Sequence, residues 1–182
     1  MKKPKTIDSR LVYSDSYINI IHDILMFKSR QWNQVYLDKV NKNSVVIVPV
    51  EKDGVYLIKQ YRHPVNKFLW QFPAGTYENK LNPLQLAKKE LREETGMTAQ
   101  RITKIGTMFS EPGLSTDKTT IFVAEALSRL KKQTLDQSEI GMEVCFFKFE
   151  IIMKMIRERK IKCGITLSAY LLYLLYSKKL IS

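Results

Sequence analysis

The chain has 182 residues, a 45% hydrophobic content and a formal net charge of +12. That length suits one domain with a sizeable core, and the composition excludes several classes. The two cysteines, Cys145 and Cys163, are too few for a disulfide framework. The basic stretch of residues 1–5 lacks the apolar segment of a secretory signal, and the longest apolar run, residues 169–176, is too short to span a membrane.

In chain order, residues 10–39 read as two or three strands, with apolar side chains on both faces around Ile18, Ile20 and Ile21. Residues 45–50 form a short buried strand. An Asp-Gly type of turn at residues 51–54 returns the chain as a hairpin through residues 55–61. Residues 69–72 are a further strand, ended by Pro73. A helix then begins with Asn82 as its cap and Pro83 at its first position. Leu84, Ala87 and Leu91 are its expected apolar stripe, and Gly96 ends it. Strands follow at 101–108, 119–124 and 143–149, with a polar, lysine-rich loop at 128–138. Helices at 150–160 and 165–176 close the chain, the last expected to lie buried on a core. The alternation of elements fits an α/β/α sandwich.

The most informative residues lie on the 83–95 helix. Glu90, Glu93 and Glu94 are spaced i, i+3, i+4, so they share one helical face. Like charges so spaced repel, by about 0.2–0.5 kcal/mol per pair on an isolated helix. A hard divalent cation reverses that sign, since Mg²⁺ takes oxygen ligands and sits between carboxylates and substrate phosphates. A solvated face is the alternative, with Lys89 pairing Glu93 at i,i+4. His22 and His63 are not spaced as a metal pair, and no Gly-rich phosphate loop or Cys/His zinc cluster is present.

The wider context resembles the Nudix hydrolase family. Its box runs Gly, five residues, Glu, seven residues, Arg-Glu-apolar-any-Glu-Glu-any-Gly-apolar. Gly75, Glu90, Leu91, Glu93, Glu94, Gly96 and Met97 stand in that register. The flanks Gln60-Tyr61-Arg62, Phe72-Pro73-Ala74-Gly75 and Pro112-Gly113-Leu114-Ser115 resemble the branch that hydrolyses ADP-ribose and related nucleoside diphosphate sugars. The resemblance covers roughly residues 10–175. It implies an α/β fold, the Nudix-type α/β/α sandwich with a mixed sheet, over residues 41–182, and an antiparallel strand region at 1–40 that contacts a second copy in a homodimer.

The two cysteines fit a reducing cytosol, and the resemblance implies an Mg²⁺-dependent enzyme (Mn²⁺ as the alternative ion). Its metal ligands would be Glu90, Glu93, Glu94 and the Ala74 carbonyl. Glu93 and Glu94 count among the catalytic residues with Glu139, the expected base, for which Glu143 is the alternative. Arg62 would grip phosphate with its guanidinium fork, with Glu78 and Gly113 beside the substrate. The nucleotide base would stack on an aromatic, with Trp32, Tyr17 and Tyr36 as candidates. Gly75 is expected where left-handed dihedrals favour glycine.

Three positions depart from the pattern. Leu81 replaces the first Glu of the box, Lys89 its Arg, and Gln71 a Glu frequent in this branch. They raise a second reading, a domain that binds ADP-ribose-like ligands as a sensor without turnover. The positive charge raises a third, an RNA 5′-end pyrophosphohydrolase. The lysines are spread along the chain rather than clustered, so the charge does not by itself point to nucleic acid, and it would equally steer a small anionic substrate.

Overall fold

The computed structural model describes residues 1–40, 43–77, 81–130 and 141–178. It divides into two compact units, residues 1–43 with 109–118, and residues 44–108 with 119–182.

The first unit is built on an antiparallel meander of β1 (Lys5–Ser14), β2 (Ile18–Phe27) and β3 (Arg30–Lys39). Phe27 pairs with Arg30 across a two-residue hairpin in which Lys28 takes φ 56°. β1 is exposed along nearly its whole length. The segment 109–118 joins this unit through the bridge of Leu37 with Ser115 and the backbone bond from Leu37 N to Leu114 O, 2.8 Å.

The second unit centres on a seven-stranded mixed sheet. Its path runs β10 (Glu143–Lys148), β5 (Gly54–Arg62), β4 (Asn43–Glu51), β9 (Lys118–Arg129), β8 (Met97–Phe109); β6 (Lys67–Gln71) pairs with β5 and β7 (Ala74–Thr76) with β4. Alternation along the central strands builds two cores, because successive side chains point to opposite faces. Val45, Ile47, Tyr56, Phe122 and Ala124 pack with Leu86, Ala87 and Leu91 of α1 (Pro83–Thr95). Val46, Val48, Val55, Leu57, Ile121 and Val123 pack against α2 (Phe149–Arg157) and α3 (Gly164–Tyr176). With α1 on one face and α2 and α3 on the other, the unit is the expected α/β/α sandwich.

Three local expectations change. The 51–54 turn has Lys52 and Asp53 at its centre, with Lys52 at φ 45°. Gly54 already pairs with Glu51, and glycine fits there because a Cβ would lie 2.7 Å from Phe146 Cε2. In α1 the buried stripe uses Leu86, not Leu84, which is 39% exposed. α3 is only half covered: Tyr170 and Tyr173 are buried, whereas Leu171, Leu175 and Tyr176 are exposed. Among the described residues no helix is long and apolar enough to cross a membrane.

Candidate active site

The second unit gathers the carboxylates and the arginine through local rules that the sequence sets. α1 starts at a full capping box: Asn82 Oδ1 accepts from Gln85 N and Gln85 Oε1 from Asn82 N, both at 2.9 Å. It ends where Gly96, at φ 67°, donates its N–H to Arg92 O. Fixed at both ends and anchored by Leu86, Ala87 and Leu91, the helix continues its buried stripe through Glu90 and Glu94, 7% and 2% exposed.

Charged carboxylates taken that far from water need compensation. Glu94 Oε2 accepts from Ala74 N at 2.7 Å, which ties α1 to the start of β7. Glu90 lies over Gly75, where a Cβ would come 2.6 Å from Glu90 Cγ and closer still to its carboxylate. Gly75 is not at positive φ, so the expected conformational reason for glycine is replaced by a steric one: the missing side chain is the space that Glu90 occupies. Glu93 is held differently, with its oxygens 3.2 Å from Lys89 Nζ and 3.4 Å from Arg92 Nη2. Lys89 also lies 3.8 Å from Glu90. Among the described residues no three His, Cys, Asp or Glu side chains converge as a ready metal group. The two buried carboxylates, Glu90 and Glu94, still fit a hard divalent cation, which binds through one or two carboxylates and completes its shell with phosphate oxygens and water.

Alternation along β5 puts Tyr56, Ile58, Gln60 and Arg62 on one face, and Tyr56 belongs to the α1-side core. Arg62 Nε donates to Gln71 Oε1 at 2.8 Å, and Gln71 Nε2 donates to Cys163 Sγ at 3.3 Å. Gln71 and Ala74 are three residues apart in the chain, so their Cα atoms lie within about 11 Å of one another. Sequence reasoning missed the Gln71–Cys163 tie, since no local spacing joins residues 92 positions apart.

The other candidates fall elsewhere. Glu78 and Glu139 lie outside the described residues. Glu143 opens β10 opposite Lys59, 3.8 Å from its Nζ. Trp32 and Gly113 belong to the first unit. Trp32 is 39% exposed on β3. The Gly113 carbonyl accepts from Gln34 Nε2 at 3.1 Å, at a cavity of about 190 Å³ that Tyr36 also lines. Asp117, in the same unit, is buried and accepts from Lys39 Nζ at 3.0 Å.

Comparison with known proteins gives a consistent result. Residues 40–163 match the model of the NUDIX domain family. The ADP-ribose pyrophosphatase of Bacillus subtilis (strain 168) is 30% identical over 159 residues, covering 86% of this chain and 85% of the relative. The methanol dehydrogenase activator of Bacillus methanolicus is 23% identical over 158 residues, with 86% and 85% covered. The crystal structure of an ADP compounds hydrolase superposes with a TM-score of 0.84 at 20% identity, covering 98% of this chain and 96% of that one.

Proposed function

The chain belongs to the Nudix family and is a Nudix hydrolase, and from that premise we propose that it splits the diphosphate of ADP-ribose, or of a related nucleoside diphosphate sugar, into a nucleoside monophosphate and a sugar phosphate. The observation that carries this reading is the burial of Glu90 and Glu94 against β7, with Gly75 leaving room for one and Ala74 N bonding the other. The Bacillus subtilis relative is an ADP-ribose pyrophosphatase that the chain matches over most of its length, which supports the substrate class.

Glu90, Glu94 and the Ala74 carbonyl would hold Mg²⁺, or Mn²⁺ in its place. A divalent ion in such a site neutralises phosphate oxygens and makes water a better nucleophile. Glu94 is kept in position by the Ala74 amide and Glu90 by α1 and its glycine gap. Glu93, steadied by Lys89 and Arg92, is assigned to orient water or share a metal, and Glu139 to accept its proton. Arg62 would clamp the diphosphate, with Glu78 as a further substrate contact. We assign the enzyme to the cytoplasm, in keeping with its two free thiols, and to a homodimer. The exposed apolar residues Ile7, Leu11, Val12 and Tyr13 of β1 support the second assignment.

The test is product formation from ADP-ribose with Mg²⁺ and with chelator, beside a panel of UDP-, GDP- and ADP-sugars and a dinucleoside polyphosphate. Metal-dependent release of AMP from ADP-ribose is the expected result. No turnover across the panel, with ligand binding still seen by thermal shift, would replace this reading with that of a binding module.

A further inference from the structure

We propose that Gln71 is a positioning residue that aims Arg62 while leaving its charge uncancelled for the substrate diphosphate. The inference rests on the assignment of Arg62 to the phosphate groups. A guanidinium has donors only, so a hydrogen bond that orients it needs an acceptor on the other side. Gln71 Oε1 is that acceptor, at 2.8 Å from Nε. The amide nitrogen of the same side chain must then find an acceptor of its own, and Cys163 Sγ lies 3.3 Å away. This second bond fixes which way the carboxamide faces. Gln71 is 8% exposed, so water is largely kept from competing for either bond.

The bond to Gln71 uses Nε and leaves the terminal nitrogens outside it. The arginine is therefore fixed in direction by a neutral side chain, and among the described residues it forms no ion pair. A glutamate at position 71 would also accept from Nε. It would, however, place a full negative charge in contact with the guanidinium, and an arriving diphosphate would have to compete with it. A carboxamide gives aim without neutralisation, so the Gln71 departure from the branch pattern serves binding rather than weakening it.

The experiment compares wild type, Gln71→Glu, Arg62→Ala and the double variant, with ADP-ribose and Mg²⁺ in steady state and with inorganic pyrophosphate by calorimetry. Gln71→Glu is expected to raise KM about tenfold or more with kcat held within about threefold, the signature of a lost binding contact. In the Arg62→Ala background the same change should alter KM by less than about twofold, because the two residues act as one unit. Gln71→Met, neutral but without an acceptor, should raise KM less than Gln71→Glu does. Thermal unfolding checks that each variant folds.

An unchanged KM in Gln71→Glu, or an equal rise with and without Arg62, overturns the inference. If wild type hydrolyses no nucleotide sugar, the substrate reading fails and the pyrophosphate Kd carries the same four-protein comparison. A pyrophosphate Kd that Arg62→Ala leaves unchanged overturns the inference even where nucleotide sugars are hydrolysed.

Discussion

Gly75→Ala is the most direct probe of the carboxylate site, because the structure says what the added methyl meets. Its Cβ would lie 2.6 Å from Glu90 Cγ, against an ordinary carbon–carbon contact of about 3.5–4.0 Å. Something must therefore move by about 1 Å. α1 resists, being capped at Asn82, closed at Gly96 and packed through Leu86, Ala87 and Leu91. β7 resists through its pairing of Gly75 with Val45. The Glu90 side chain is left to swing away, with an overpacking cost of about 1–3 kcal/mol. For a chain of this size each kcal/mol lowers Tm by about 2–4 °C. A displacement of about 1 Å at a reacting centre can cost about 100-fold in rate, so turnover should fall far more than stability does. The assay is metal-dependent AMP release from ADP-ribose beside thermal unfolding by circular dichroism. Removing the atoms that clash, in Gly75→Ala/Glu90→Ala, should restore much of the Tm. A folded Gly75→Ala protein with turnover within about threefold of wild type would refute the placement of Glu90 in the site, since a misplacement of this size is expected to cost far more.

Other outcomes follow from the same geometry. Glu94→Gln keeps an oxygen for the Ala74 amide but loses the charge, so the fold should survive while turnover drops about 100-fold, or roughly 3 kcal/mol of barrier; near-normal turnover removes Glu94 from the ligand set. Mg²⁺ should stabilise the fold by about 2.7 kcal/mol at a hundred times Kd, read as a raised Tm that chelator reverses, with no shift up to millimolar Mg²⁺ or Mn²⁺ counting against a metal between Glu90 and Glu94. Burial pushes the Tyr170 hydroxyl up from 10.0 to about 12. The raised value means that the folded protein keeps this proton longer than the unfolded chain does, so stability is intact below about pH 10 and declines from there toward pH 12, by about 2–3 kcal/mol in all. Tyr170→Phe should flatten that alkaline limb in Tm–pH curves. It should also leave neutral-pH stability equal or higher, since the hydroxyl is buried without a hydrogen-bond partner among the described residues; parallel curves would refute the assignment.

Much of the sandwich could be read from the sequence, because local rules governed it. Asn82, Pro83 and Gly96 punctuate α1 as expected, and the strands expected at 45–50 and 119–124 lie within β4 and β9 at the centre of the sheet. Helical spacing alone could not choose between Leu84 and Leu86, which differ by two positions and face different ways. What decides is the continuation of the stripe through Glu90 and Glu94, carboxylates that a hydrophobicity reading assigns to the solvent side. The short β7 could not be read either, since three residues after a proline carry no periodicity. The reason for Gly75 lay in a contact with a residue fifteen positions on.

The departures from the family box take on a physical meaning once their neighbours are known. Lys89 lacks the planar fork of arginine, yet its ammonium sits 3.2 Å from Glu93 and 3.8 Å from Glu90, so a cation still braces the neighbouring glutamates. Leu81 gives up a carboxylate and packs at the edge of the α1-side core, where it lines a cleft with Leu91, Ala99 and Ile102. Placing it there substitutes apolar contact for a charge and leaves Glu90 and Glu94 in their buried positions. Gln71 still offers Arg62 a hydrogen-bond acceptor, at 2.8 Å from Nε. Beside these three residues the two carboxylates stay buried on one helical face and Arg62 keeps its bond to Gln71. The face on which turnover depends is therefore intact despite the departures from the box.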